Sequence, residues 1–163
     1  MTLTLPRPFI DIEASGFAAN SYPIEIGLVL PDGALFCTLI RPESDWTHWD
    51  ASAEAVHGIT REVLHEHGRT ALEVAADWNR LLHGMTVYTD SWYHDYNWLA
   101  RLYDAAGCSP KFRLEDVLRV LPVEYLGSWG SMKQSVIAEM DLKRHRASND
   151  ARILQSTLHR LIG

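Results

Sequence analysis

The chain has 163 residues, of which 47% are hydrophobic and 22% are charged, a balance typical of a folded globular domain that excludes a disordered chain or a collagen-like repeat. Its 21 Asp and Glu residues outnumber its 15 Lys and Arg residues, and the net charge of −6 excludes a strongly basic nucleic-acid scaffold. Any nucleic-acid chemistry must therefore depend on a local site where cations neutralise carboxylates.

The cysteines and the N-terminus favour a cytoplasmic protein. Cys37 and Cys108 lie far apart and match no zinc or redox spacing. Residues 1–10 contain one basic residue, Arg7, and lack the apolar run of a signal peptide. No stretch approaches the ~18 apolar residues of a membrane span. We therefore expect one cytoplasmic domain over residues 1–163 that does not enter a membrane, and its oligomeric state stays open.

Strand signals come first along the chain. Apolar residues within 9–12 predict the first strand. Residues 24–30 and 34–40 are two β-rich runs, and the turn sequence at 31–33 between them predicts a hairpin. The stretch at 41–49 is predicted to be a surface loop.

Helical signals dominate from residue 60 onward. Thr60 and Thr70 are predicted N-caps of helices that end before Gly68 and Gly84. Two further strands are predicted, at 85–89 and near 112–114. The predicted helices are 61–67, 71–83, 93–106, 115–121, 132–140 and 150–162. Three antiparallel strands followed by alternating helices and strands predict an α/β domain with a mixed sheet of about five strands.

Four carboxylates fall on faces that the pattern predicts to pack inward. Asp11 and Glu13 lie two residues apart on the first strand, so their side chains leave the same face. Asp95 begins a helical stripe at 95, 98, 99 and 102, and Asp150 begins one at 150, 154, 158 and 161. Taken alone, Asp95 and Asp150 are better explained as a cap or a charge at a helix start, and a D-x-E pair on a strand arises by chance in many proteins. Together, buried carboxylates require cations, and their oxygens select Mg²⁺ or Mn²⁺.

A histidine precedes the last of these acids. His145 lies five residues before Asp150, a helical rotation of about 140°, so the two cannot share one face of a regular helix. Ser148 or Asn149 is the predicted N-cap, which places His145 in the loop leading into the helix. A histidine accepts a proton near neutral pH, which predicts a general base. Taken alone, His145 would be interpreted as a surface residue.

These motifs resemble those of the DEDD superfamily of 3′–5′ exonucleases, in its histidine-containing (DnaQ-like, DEDDh) subgroup. The matching segments are Asp11-Ile12-Glu13, Ala55-Val56-His57-Gly58-Ile59-Thr60, Asp95-Tyr96-Asn97-Trp98-Leu99 and His145-Arg146-Ala147-Ser148-Asn149-Asp150. The resemblance extends from about Phe9 to Leu161. Each motif alone is unspecific, whereas four in the expected order form a strong signal.

The resemblance implies a three-layer ribonuclease H-like fold and two-metal hydrolysis of phosphodiester bonds. It implies that the four acids hold two Mg²⁺ or Mn²⁺ ions and that His145 is the general base. The substrate would be the 3′ end of single-stranded DNA, RNA or a short oligonucleotide, with release of 5′-mononucleotides. The residues implied to contact the terminal nucleotide are Ala14, Ser15, Gly16, Phe17 and His57.

The sequence departs from the family pattern in two places. Ala14-Ser15-Gly16 replaces a stretch that usually has two threonines before the glycine, and Asp90-Ser91 replaces a His-Asn pair. Asp90 is interpreted as a turn residue ahead of an extra polar contact. His57 is interpreted as bonding its own loop ahead of forming a pocket wall.

Two other functions stay open. A catalytically silent module of the same fold that binds nucleic acid or protein is disfavoured, because all five catalytic positions are present. An endonuclease of the wider ribonuclease H-like group is disfavoured by the H-x-x-x-x-D spacing. Nothing in the sequence distinguishes DNA from RNA, because contacts to the 2′-hydroxyl depend on loop geometry.

Overall fold

The computed structural model describes residues 6–163 and has a five-stranded sheet at its centre, in the order β3-β2-β1-β4-β5. Strands β1 (Phe9–Ala14), β2 (Pro23–Val29) and β3 (Leu35–Leu39) are antiparallel neighbours. Strands β4 (Thr86–Thr89) and β5 (Arg113–Asp116) run parallel to β1. The predicted mixed sheet, with its first three strands antiparallel, is confirmed.

The helices are α1 (Ala51–His57), α2 (Arg61–His67), α3 (Ala71–Leu81), α4 (Trp92–Ala106), α5 (Val117–Val120), α6 (Val123–Leu126), α7 (Trp129–Met140) and α8 (Ala147–Ile162). The side chains of Thr60 and Thr70 cap α2 and α3 as predicted. The predictions missed α1 and α6, and residues 115 and 116 belong to β5 rather than to the predicted helix 115–121. No helix within residues 6–163 is long and apolar enough to cross a membrane.

Alternation along β1 separates the two faces of the sheet. Ile10 and Ile12 pack in a core that includes α3 and α4, whereas Phe9 packs in a second core with residues of α5 and α8. Because side chains two apart leave the same face, Asp11 and Glu13 lie on the Phe9 side, toward α8. Helices therefore cover both faces, which confirms the predicted three layers.

Helix α8 begins directly against β2, at Gly27. A Cβ atom at Gly27 would lie 2.1 Å from the Ser148 nitrogen and 2.2 Å from the Ala147 carbonyl carbon, so only glycine permits this approach. The predicted N-cap at Ser148 or Asn149 is wrong, since α8 begins at Ala147, whose backbone already packs against β2. His145 nevertheless lies in the loop before α8, with a φ of 59°.

Candidate active site

The four predicted acids and His145 line one cavity of about 460 Å³, the active-site cavity. Asp11 and Glu13 project from β1, Asp95 from the first turn of α4 and Asp150 from the first turn of α8. Strand β4 lies beside β1, so the helix that follows it starts next to the β1 carboxylates. Adjacent strands and helix starts thus bring together residues that lie far apart in the chain.

Glu13, His145 and Asp150 form the tightest group. One potential ligand atom from each lies within 4.8 Å of the others. Asp11 and Asp95 lie outside this group but line the same cavity, and the charge of Asp95 acts on Asp11. The histidine is therefore beside the acids although it does not lie on α8.

Burial and mutual repulsion raise the pKa of three acids. Burial is the largest cause for Asp11, whose pKa lies well above its ordinary value, and the charge of Asp95 adds to it. Burial and the Asp150 charge raise the pKa of Glu13 to about 8. Burial raises the pKa of Asp95 to about 7, against a hydrogen bond from the Thr89 hydroxyl. Without a bound cation, the cavity therefore retains protons near neutral pH.

Asp150 has its own protein donors. Arg144 donates its Nε–H to one carboxylate oxygen at 2.8 Å, and the backbone N–H of His145 donates to the other at 3.1 Å. The second bond holds His145 in its left-handed conformation next to the carboxylate. Asp150 thus connects the first turn of α8 to the loop that contains Arg144 and His145.

Asp90 is a fifth carboxylate on the cavity wall. Its Oδ2 accepts a hydrogen bond from Lys133 Nζ at 2.7 Å and one from Trp129 Nε1 at 3.1 Å. The interpretation of Asp90 as a simple turn residue is wrong, because α7 supplies two partners that fix it at the site. Sequence reasoning also missed Lys133 and Arg144 as cavity residues, because they belong to no motif. For Arg144, its position directly before His145 was the one available signal that it lies at the site.

Of the residues expected to contact the terminal nucleotide, Ala14, Gly16, Phe17 and His57 line the cavity. His57 Nδ1 accepts the Ile59 N–H at 3.0 Å, so the neutral ring carries its proton on Nε2. Nε2 is buried and has no hydrogen-bond partner among the described residues. His57 therefore bonds its own loop, as interpreted, and its ring also forms part of the cavity wall.

Ser15 does not reach the cavity. Its backbone N–H donates to the Tyr22 carbonyl at 3.0 Å, and its hydroxyl accepts the Tyr22 N–H at 3.1 Å. The hydroxyl also lies 3.0 Å from His48 Nδ1. Ser15 is fully buried and holds the loop after β1 in place, so its amide does not face a bound nucleotide.

Glu25 is a fully buried carboxylate that anchors α8. It is the cross-strand partner of Glu13. Arg146 donates to it through Nη2 at 2.8 Å and through Nε at 3.1 Å, and the Ala147 N–H donates at 2.7 Å. The first residue of α8 is thereby fixed to the sheet, and the positions of Asp150 and His145 follow from it.

No family model and no curated protein matches the chain. The mixed sheet and its helical layers define a ribonuclease H-like α/β fold. Among solved structures, the chain is similar to E. coli exonuclease I in complex with a dA16 oligonucleotide, with a TM-score of 0.75, 14% identity, and coverage of 95% of this chain and 40% of that chain.

A second similar structure is the zinc-ion-bound form of the E. coli exonuclease I–single-stranded DNA complex, with a TM-score of 0.69 and 13% identity. That match covers 95% of this chain and 39% of that chain. The chain therefore spans about two-fifths of the length of exonuclease I. At this level of identity, the likeness establishes the fold.

Proposed function

We propose that this chain is a metal-dependent nuclease that removes nucleotides one at a time from the 3′ end of single-stranded nucleic acid. The observation that carries the proposal is the meeting of Asp11, Glu13, Asp95, Asp150 and His145 in one cavity. The likeness to exonuclease I bound to a single-stranded oligonucleotide supports a nucleic-acid substrate.

The donor set fits two hard divalent cations. Five carboxylates line the cavity against two cationic side chains, Lys133 and Arg144, so negative charge is left without a partner. Burial is the main cause of the raised pKa values of Glu13 and Asp95, and neighbouring carboxylates add to it. Mg²⁺ or Mn²⁺ ions held by Asp11, Glu13, Asp95 and Asp150 would offset the negative charge, lower the pKa of water and stabilise the charge on the reacting phosphate.

His145 takes the proton from the attacking water. The water oxygen bonds to phosphorus while the bond from phosphorus to the 3′ oxygen of the preceding nucleotide breaks, and that oxygen takes a proton from solvent. The products are a 5′-mononucleotide and a strand shorter by one residue. The hydrogen bond from the His145 backbone to Asp150 holds the base beside the acids before substrate arrives.

The far wall of the cavity orients the terminal nucleotide. His57 lies in this wall, and its ring is held in place by the hydrogen bond from the Ile59 N–H. The Phe17 ring is 73% exposed and edge-on to His94 at 5.1 Å, so a face of it is available for the terminal base.

The test uses the protein with Mn²⁺ and three labelled single strands: one with a free 3′ hydroxyl, one with a blocked 3′ end and one circular. We expect 5′-mononucleotides from the first strand alone. Cleavage of the circle would replace the proposal with an endonuclease. Binding of all three without cleavage would indicate a silent module.

The His145→Ala variant tests the proposed base. We expect kcat to fall by ~10²–10⁴, because a positioned base contributes about that much. Stabilisation by Mn²⁺ should persist, since the imidazole is proposed as a base and not as a ligand. His159→Ala, on the exposed side of α8, is the matched control. Loss of the Mn²⁺ effect in His145→Ala would make His145 a ligand instead.

A further inference from the structure

A second groove opens from the mouth of the active-site cavity. This side groove is lined by the loop after β1, the loop after β3 and one face of α4, and its volume is about 800 Å³. It shares Phe17, His94 and Trp98 with the active-site cavity. If a 3′ nucleotide occupies the cavity, the side groove is the adjoining space for the nucleotides that precede it.

Aromatic rings form the border between the cavity and the side groove. His94 stacks on Trp98 with ring centres 5.4 Å apart, and Phe17 contacts both rings. Tyr93 is 71% exposed and packs edge-on against His94. Exposed rings such as those of Phe17 and Tyr93 stack on bases of any identity, so this border suits one or two nucleotides next to the scissile bond.

Beyond the aromatic border, the side groove is acidic. Glu43, Asp45 and Asp104 line it, and none of the three forms an ion pair in the part of the chain that the structure describes. Arg101 is the cation on this wall, and it donates to the Ser21 carbonyl at 3.4 Å and lies over the Trp46 ring. A groove that follows a phosphate backbone is positively charged, and this one has the opposite charge.

The cations of the active-site cavity are also engaged. Lys133 is paired with Asp90 at 2.7 Å, and Arg144 is paired with Asp150 at 2.8 Å. We infer that, given the proposed nuclease activity, the site takes short oligonucleotides of a few residues in preference to long single strands. Stacking on the aromatic border holds the short substrate, and the acids of the side groove repel each further phosphate.

The first test compares kcat/KM per 3′ end for a trinucleotide and for a strand of about 24 nucleotides of the same 3′ sequence. We expect kcat/KM for the longer strand to be at most about twofold higher, because the three acids of the side groove outnumber its cation, Arg101. A rise of about tenfold or more would overturn the inference and leave the nuclease proposal intact. Absence of product at both lengths would overturn both.

Salt dependence gives a second readout. Each phosphate neutralised by the protein steepens the plot of log kcat/KM against log salt by about 0.7 for a single strand. We expect the slope for the long strand to match that for the trinucleotide. A difference of about 2 or more would show that the protein contacts additional phosphates and would overturn the inference.

Charge reversal tests the cause directly. The double variant Asp45→Lys with Asp104→Lys should raise kcat/KM for the long strand by about tenfold and change the trinucleotide value by less than about twofold. Glu66→Lys with Glu124→Lys is the matched control, since it changes the net charge equally at exposed sites that line neither the cavity nor the side groove. Equal effects of the two pairs, or no effect of the first, would overturn the inference.

Discussion

Glu13 and Glu25 face each other across the β1–β2 ladder and have opposite roles. Glu25 is fully buried and receives hydrogen bonds from Arg146 and from the Ala147 backbone. Glu13 lines the active-site cavity among other acids, and burial with the Asp150 charge raises its pKa to about 8. The same residue type at paired positions thus has protein donors in one case and is surrounded by other acids in the other.

The difference distinguishes a structural carboxylate from one that we propose to bind cations. A buried acid that has a cation and backbone donors fixes a tertiary contact. A buried acid without them destabilises the fold unless it takes up a proton or a cation. Glu13 is in this second situation and lies close to His145 and Asp150, which supports the proposed site for cations from solution.

Glu13→Gln should have the largest effect on activity. Loss of a proposed metal ligand should lower kcat by about 10³ or more and remove stabilisation by Mn²⁺, because metal assistance contributes several kcal/mol to the reaction. The free energy of unfolding without metal should stay the same or rise, since a repelled carboxylate is removed. Activity assays and thermal melts with and without Mn²⁺ measure the two effects. A variant that still gained stability from Mn²⁺ would contradict the assignment of Glu13.

The same substitution at Glu25 should give the reverse result. Glu25→Gln leaves Arg146 without its carboxylate, and breaking a buried pair costs ~3–5 kcal/mol in general. Because the Arg146 side chain is 38% exposed, we expect about 3 kcal/mol from denaturant unfolding. The Mn²⁺ effect should remain at temperatures where the variant is folded. An unchanged free energy of unfolding would show that the pair does not anchor α8.

Gly27→Ala tests whether the anchor positions the site. The added Cβ would meet the backbone of Ala147 and Ser148, which cannot rotate away, so α8 must shift. We expect a loss of ~1–3 kcal/mol in stability and of about 10² in kcat, because small misplacements of reacting groups are costly. Gly127→Ala is the control, since nothing lies within 4 Å of its added Cβ. Full activity in Gly27→Ala would show that the contact between Gly27 and the start of α8 does not control the positions of Asp150 and His145.

The raised pKa values of Glu13 and Asp95 should also make the stability of the metal-free protein depend on pH. The folded protein holds protons on Glu13 up to a pKa of about 8 and on Asp95 up to about 7, whereas the unfolded chain releases them near the ordinary values of about 4. The folded state therefore binds more protons between these limits, and the metal-free protein should lose stability as pH rises from about 4 to about 8. Stabilisation by Mn²⁺ should increase over the same range, because the metal replaces protons.

Thermal melts across this pH range, with and without Mn²⁺, measure both trends. Glu13→Gln should flatten the metal-free profile. Glu25→Gln should shift it down and reduce its slope to a smaller extent, because the Glu25 charge contributes to the raised pKa of Glu13. A metal-free protein that gained stability from pH 5 to pH 8 would contradict the proposed proton storage at Glu13 and Asp95.

Local patterns predicted most of the elements and the acids of the site. The alternation at Phe9, Asp11 and Glu13 placed both carboxylates on one face, and the threonine caps located α2 and α3. Helix α1 was missed although Asp50 before it and Gly58 after it are ordinary helix-boundary residues. Its boundary signals were present in the sequence, but no element was predicted between the loop at 41–49 and the helix that begins after Thr60.

The partners of the charges were not predictable. Arg146 lies 121 residues from Glu25, and Lys133 lies 43 residues from Asp90. Ser15 sits within the expected nucleotide-binding segment, yet its amide and hydroxyl are used by Tyr22. These pairings depend on how distant segments pack, which no local pattern encodes.

The sequence by itself determined which side chains share a face, where helices begin and that the acids of β1, α4 and α8 point inward. Those properties follow from backbone periodicity and from hydrogen bonds within a few residues. The tertiary structure decided which carboxylates are neutralised: Glu25 pairs with Arg146 and Asp90 pairs with Lys133, whereas Glu13 forms no ion pair within residues 6–163. The physical reason is that the charge state of a buried group depends on the packed surroundings that desolvate it and on cations brought from distant parts of the chain.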